Sequence, residues 1–198
     1  MNNTKLLFYA LILIISGCFF GSLSQFSEED IIGRTNVLSN SGFEEGNYPI
    51  DELPKEWLIV NKPLNVVYLD KNVAHQGTRS VKMINPPEKI NLFSEAININ
   101  PQEIYYTKCY VKVDSPVKVP VTLYFLGFTI TGKRVDRFSQ KIYPKQDWTK
   151  IELTAGFFDN SALFGRIAVS VPQKKGVTVW IDDVESYNVF KMRKRWEE

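Results

Sequence analysis

The sequence predicts an all-β domain built as a sandwich, on three observations. From Asn36 onward, short runs rich in Val, Ile, Thr and aromatic residues alternate with period two. Turn residues punctuate those runs, among them Asp114-Ser115-Pro116, Thr131-Gly132-Lys133 and Lys174-Lys175-Gly176. No segment outside the last ten residues carries an amphipathic helical stripe. A length of 198 residues suits one such domain with a single core, and neither an internal repeat nor a second domain is visible.

Six strands are expected in order: "TRSVKMI" (78–84), "IYYTKCYVKV" (104–113), "VPVTLYFLGFTI" (119–130), "WTKIELTAGFF" (148–158), "GRIAVSVP" (165–172) and "VTVWIDDVESYNV" (177–189). Their alternation divides side chains between two faces. In the second, Tyr105, Thr107, Cys109, Val111 and Val113 suit a core, leaving Tyr106, Lys108, Tyr110 and Lys112 on the opposite side. In the third, Val121, Leu123 and Phe125 face inward, against Thr122, Tyr124 and Leu126. In the fifth, Ile167, Val169 and Val171 face inward, against Arg166, Ala168 and Ser170. Trp148 and Trp180 read as core residues and His75 as a turn residue. The outward sets imply one face that mixes tyrosines with Lys, Arg, Thr and Ser.

The N-terminus has the order of a secretory signal: Lys5, an apolar run from Leu6 to Ile15, then small residues. The run is short for a membrane span, which needs ~20 residues. Its end, Ile15-Ser16-Gly17-Cys18, resembles a bacterial lipobox, which implies a lipid on Cys18 and a place outside the cytoplasmic membrane; plain secretion and an uncleaved anchor remain open. The expected organisation is a signal peptide over 1–18, a polar tether over 19–35, the sandwich over 36–190 and a basic tail over 191–198. With Cys18 lipidated, Cys109 has no partner and reads as a small buried hydrophobe.

Composition excludes several classes. A formal net charge of +2 argues against a nucleic-acid partner, and the basic cluster from Lys191 to Arg195 reads as a solvated tail. Two cysteines are too few for a disulfide framework, and a single His with no Cys/His cluster excludes a zinc site of the usual ligands.

"NVLSNSGFEEG" (36–46) places Phe43 and Glu44 directly after a tight turn. It is followed by "WLIV" at Trp57, by "HQGTRSVKM" (75–83) and, near the end, by "VTVWIDDVESYNV". The order of Asn40-Ser41-Gly42-Phe43-Glu44, Gly77-Thr78-Arg79-Ser80 and Ile181-Asp182-Asp183-Val184 resembles that of the CenC-like, cellulose- and xylan-binding group of carbohydrate-binding modules. The resemblance runs from about Asn36 to Val189. It implies a galactose-binding-domain-like jelly roll that holds a polysaccharide or oligosaccharide, as an accessory to glycoside hydrolases. It further implies a structural calcium ion tying the first strand to the last, with Glu44 and Asp182 as carboxylate ligands. The plainer alternative is that Glu44 hydrogen-bonds backbone amides and the aspartates end a strand.

Sugar rings offer flat C–H faces for aromatic stacking and hydroxyls for hydrogen bonds. Tyr106, Tyr110 and Tyr124 are the expected platforms, with Trp57 as a loop residue walling the cleft. Lys108, Thr122, Glu152, Arg166 and Ser170 are the expected hydroxyl partners. No pair of carboxylates stands in a recognisable hydrolytic context, no Gly-x-Ser-x-Gly turn accompanies His75, and no phosphate loop follows a strand. Binding without catalysis is therefore expected. A structural or protein-binding module of the cell envelope is the alternative, and a minimal glycoside hydrolase a further one.

Overall fold

The computed structural model of this chain describes residues 26–45, 54–60 and 65–191. The signal segment with Cys18 and the tail from 192 on lie outside the described residues. Among the described residues eleven strands follow one another: β1 (Trp57–Ile59), β2 (Val67–Asp70), β3 (Ser80–Ile84), β4 (Ile90–Ser94), β5 (Ile97–Asn98), β6 (Glu103–Asp114), β7 (Val121–Phe128), β8 (Arg134–Ile142), β9 (Thr149–Gly156), β10 (Phe164–Val171) and β11 (Thr178–Lys191). They form two sheets, paired antiparallel throughout. The first runs β2-β3-β11-β6-β9 and the second β1-β4-β10-β7-β8, with β5 also on β10.

The core lies between the sheets, and the inward sets expected from alternation fill it. Cys109, Val111 and Val113 of β6, Val121, Leu123 and Phe125 of β7, and Ile167, Val169 and Val171 of β10 are each at most 3% exposed. Phe125 joins the layers. Its ring lies 5.2 Å from that of Tyr105 in the other sheet and 5.2 Å from Phe158, which also meets Phe138 of β8. Such offset aromatic contacts add to the gain from burial itself. Position 165 has to be small here, because a Cβ on Gly165 would stand 2.7 Å from the Phe125 ring.

The six expected strands correspond to β3, β6, β7, β9, β10 and β11. Among those not foreseen as strands, β8 is an edge strand of "RVDRFSQKI" with mostly exposed side chains. Polar edges resist further pairing, and they leave little hydrophobic alternation to read.

The expected single tyrosine face is corrected by the topology. β6 and β7 are neighbours in sequence but enter different sheets. Tyr106, Lys108 and Tyr110 therefore stand on the outer face of the first sheet, and Tyr124 and Arg166 on the outer face of the second. Alternation reports on which side of its own strand a residue lies; it carries no information about which layer receives the strand.

The stretch expected as a free tether is docked over part of its length. From Phe26 on, it lies against the first sheet, with Phe26 and Ile31 packed, beside Tyr187, on the cluster of Ile104, Tyr106 and Val189. A single 3-10 turn, Glu28–Ile31, is capped by Ser27, whose amide donates to Asp30 at 2.8 Å. Arg34 donates to the Asn188 carbonyl at 2.8 Å.

Phe125→Ala is expected to destabilise the fold by about 3–5 kcal/mol, the range for removing a fully buried Phe. Urea unfolding followed by tryptophan fluorescence checks it; a loss under about 1 kcal/mol would show that the ring does not join the sheets.

Candidate functional site

Three regions bear on function, and the first is the junction where the chain's opening turn meets its last strand. Asn40 forms the turn with φ of 47°, its side chain accepting from the Glu45 amide at 2.8 Å and donating to the Lys55 carbonyl at 2.9 Å. Phe43, at φ of 59°, is fully buried and meets Trp57 edge-on at 5.1 Å. A left-handed non-glycine residue costs roughly 1–2 kcal/mol, which burying a Phe, worth about 1.5–3 kcal/mol, offsets. Trp57 is only 5% exposed and its indole donates to the Asn40 carbonyl at 3.1 Å. It is a core residue of the turn, not the expected wall of a cleft, because the Phe43 turn folds over it.

Glu44 reaches to the start of β3. One oxygen accepts from the Thr78 and Arg79 amides at 2.7 and 2.9 Å, the other from the Thr78 hydroxyl at 2.6 Å. Desolvation acts to raise its pKa, but the Thr78 hydroxyl, the two amides and the Arg79 charge outweigh it and hold the carboxyl below its ordinary value. Gly77 makes this approach possible. It has φ of +67°, and a Cβ there would overlap the Glu44 carboxylate.

On the facing strand, Ser41 accepts from the Val184 amide at 2.9 Å. The fully buried Asp182 accepts from the amides of His75 at 2.7 Å and Asp183 at 2.8 Å. Desolvation, joined by the Asp183 charge, pushes its pKa up to about 7 despite those amides. Asp183 sits 2.6 Å from His75 Nδ1. The three motifs quoted from the sequence thus meet in one place.

A calcium ion at this junction would draw on Glu44 and Asp182 for carboxylate oxygens and needs six to eight oxygens in all. In the arrangement described, N–H and O–H donors already occupy both carboxylates. Among the described residues no group of three or more His, Cys, Asp or Glu is placed to hold a metal ion.

The second region is the outer face of the first sheet. Tyr106 is 1% exposed under the N-terminal segment, and its hydroxyl donates to Glu152. Lys108 pairs with Glu28 and with Glu185, each at 3.1 Å, while Lys150 pairs with Glu28 at 3.3 Å and Glu152 at 2.7 Å. Desolvation acts against the Lys108 charge, yet Glu185 and Glu28 raise its pKa overall. Tyr110 stacks on His75 with centroids 3.6 Å apart. Of the expected platforms, Tyr106 and Tyr110 therefore carry packing, and Lys108 is held by carboxylates of the chain itself.

The third region is the outer face of the second sheet, where a cavity of about 170 Å³ opens. Its lining is Lys89, Asn91, Phe93, Tyr124, Leu126, Arg134, Arg137 and Ala168. The register explains its shape. Phe93 pairs with Ala168, Ala168 with Tyr124, and Tyr124 with Ser139, so one row crosses four strands. A small residue between two half-buried rings leaves a dip. With strands ~4.8 Å apart, the two rings spring from backbones roughly 10 Å apart. Arg137 donates to the Tyr124 hydroxyl at 3.1 Å and its guanidinium lies 4.8 Å from the ring centre; the Lys89 ammonium lies 5.7 Å from it. Desolvation acts to raise the Tyr124 pKa, but the Arg137 hydrogen bond and the Lys89 and Arg137 charges lower it overall. Arg166, next to this row, donates to the Ser94 carbonyl at 2.7 Å and is outside the lining.

Of the residues expected at the site, only Tyr124 lines this groove. Phe93, Asn91, Lys89, Arg134 and Arg137 were not foreseen. The alternation of "INLFS" sets Asn91 and Phe93 opposite the buried Ile90 and Leu92, which was the one available signal for the first two.

Neither a protein-family model nor a curated protein matches the sequence. Solved structures do resemble the fold. The module TmCBM61, solved with beta-1,4-galactotriose, is 20% identical with a TM-score of 0.57, over 78% of this chain and 99% of its own. The CBM22-1 xylan-binding domain of Paenibacillus barcinonensis Xyn10C is 15% identical with a TM-score of 0.59, over 80% and 97%. The chain has the fold of a carbohydrate-binding module. A cyclase from Fischerella sp. TAU resembles it as well, at 12% identity and a TM-score of 0.58 over 78% and 96%, so the jelly roll alone does not decide what is bound.

Glu44→Ala is expected to cost about 1 kcal/mol at neutral pH, the ~1.5–3 kcal/mol of hydrogen bonds to a charged group reduced for solvent exposure. A carboxylate with a lowered folded pKa stabilises above its unfolded value of about 4.3 and loses that contribution as pH falls through the folded one. The gap between wild type and variant in urea titrations should therefore close in acid. A gap that persists unchanged at pH 3 would contradict the ionised junction.

Proposed function

We propose that this protein binds glycan without cleaving it, in the groove on the outer face of the second sheet. The row Phe93–Ala168–Tyr124 is the observation that carries this reading: two rings flank a dip, with Asn91 and cationic side chains at its rim. Phe93 is the stacking surface in this reading. Tyr124 lines the opposite wall and steadies Arg137. The lining contains no carboxylate, whereas ordinary glycoside hydrolysis uses two; this supports binding over catalysis. Solved modules of the same fold that were studied with galactotriose and as xylan binders lend further support.

The same reading takes Cys18 as a lipid attachment point, places the domain at the cell envelope outside the cytoplasmic membrane and makes glycoside hydrolases the enzymes it serves. The stretch from Phe26 to Arg34 meets the first sheet, on the opposite side from the groove.

Affinity electrophoresis and calorimetry against a panel of polysaccharides test the binding. Phe93→Ala and Tyr124→Ala are each expected to weaken it by about 1–3 kcal/mol, on the scale of base–aromatic stacking. Tyr106→Phe should leave it unchanged. Undiminished affinity in the Phe93/Tyr124 double variant would remove the groove from the account.

Structural calcium at the Glu44–Asp182 junction belongs to the proposal too, with the ion displacing donors that Thr78 and His75 now supply. Differential scanning calorimetry in calcium and in chelator tests it. A Tm higher in calcium supports the ion, and equal values mean that the junction closes with hydrogen bonds alone.

A further inference from the structure

We propose that the groove's ligand is an anionic polysaccharide, one carrying carboxylate or sulfate groups. This rests on the reading of the groove as a glycan site and narrows it to a substrate class.

Lys89, Arg134 and Arg137 make up three of the eight lining residues, and none of the eight is acidic. Among the described residues, no carboxylate pairs with any of these three within 4.0 Å, and the acidic neighbour Glu88 lies outside the lining. The opposite face is the internal control. Lys108, Lys150 and Lys82 there each hold a carboxylate of the chain. The whole protein has a formal net charge of only +2, so the unbalanced positive charge is a property of the groove and not of the chain.

The cations are also oriented. Tyr124 holds Arg137 through its hydroxyl and keeps Arg137 and Lys89 beside its ring. A guanidinium fixed in this way loses less freedom on binding and can grip a carboxylate or sulfate with two parallel hydrogen bonds. A neutral glycan offers these charges only hydroxyl and ring oxygens, which return less of the desolvation cost than a carboxylate or sulfate does. Lys141, which pairs with Thr122 one step along the same face, extends the positive strip in the direction of a chain-like ligand. One narrow groove with a single pair of rings on an almost neutral protein suits a sugar polymer better than nucleic acid, which rewards extended basic surface.

The test is calorimetry of the full chain with polygalacturonate, with the same polymer after carboxyl reduction, with chondroitin sulfate and with a single-stranded oligonucleotide. Tenfold or greater preference for polygalacturonate over its reduced form is expected, with affinity falling as salt is raised. Arg134→Ala and Lys89→Ala should each weaken binding of the acidic polymer about 5- to 10-fold, and Lys112→Ala on the other sheet should not. Chondroitin sulfate, which carries both carboxylates and sulfates, in place of polygalacturonate as the preferred polymer would still support an anionic ligand. Equal affinity for the native and reduced polymers would overturn it while leaving the glycan reading intact. Equal affinity for the oligonucleotide would overturn it in favour of unselective attraction of polyanions. Binding to none of these polymers or to any neutral one, by protein with an intact thermal transition, would bring down the glycan reading itself.

Discussion

β11, the last strand of the chain, lies in the middle of the first sheet between β3 and β6, so that sheet cannot be completed until the end of the domain is in place. Its pairing with β6 is the most extensive in the molecule, running from Thr178 opposite Asp114 to Lys191 opposite Glu103. The register shifts between Asp182 and Glu185, and the opening turn of the domain is tied there. Val184 bonds to Ser41, Asp182 to the amide of His75, and Ser186 to the side chain of Asn36 at 2.9 Å. A strand interruption that would weaken an ordinary ladder becomes the point where first and last segments are joined. Glu44 extends the tie to β3 through Thr78 and Arg79. A sheet whose central strand arrives last is rich in non-local contacts, the kind of topology that folds slowly.

That order of assembly gives the two outer faces different fates. The first sheet holds the segment from Phe26 to Arg34, which covers part of its outer face. The segment brings Glu28 to Lys108 and Lys150 and buries Tyr106. Its polar groups are satisfied from within. The second sheet has no such cover over the described residues, and small residues lie at its centre: Ala168 and Ser170 are 1% and 4% exposed although they point away from the core. The bulkier Phe93 and Tyr124 flank Ala168, and Asn91 and Thr122 flank Ser170. The groove therefore arises from side-chain size read across strands, with no insertion or long loop needed to make it.

Electrostatics sharpen the contrast. On the first sheet Lys82, Lys108 and Lys150 meet carboxylates of the same chain. On the second sheet cations gather around one tyrosine whose hydroxyl is itself drawn toward ionisation by Arg137 and Lys89. Stacking and charge are thereby combined on one surface, and both are properties of pairs of strands distant in sequence.

How much of this was legible beforehand can be argued residue by residue. Alternation in β6, β7 and β10 named the core side of each strand correctly, since it depends only on the pleat and on water's preference for polar groups. The turn at Asn40, the glycine at 77 and the paired aspartates marked the closing junction, because left-handed turns and close backbone approaches demand those residue types locally. Phe93 went unnoticed within a five-residue strand, and Arg134 and Arg137 within a polar edge strand that lacks a hydrophobic rhythm. Trp57 looked like a loop residue until Phe43 and Asn40 enclosed it. What the amino-acid order determined alone was the strand character, the buried side of each strand and the closing motifs, all set by forces acting within a few residues. Which sheet received each strand, and hence which tyrosine was covered and which opened on a groove, was decided only by the tertiary structure, because the partners that pair, bury or neutralise a side chain come from across the chain.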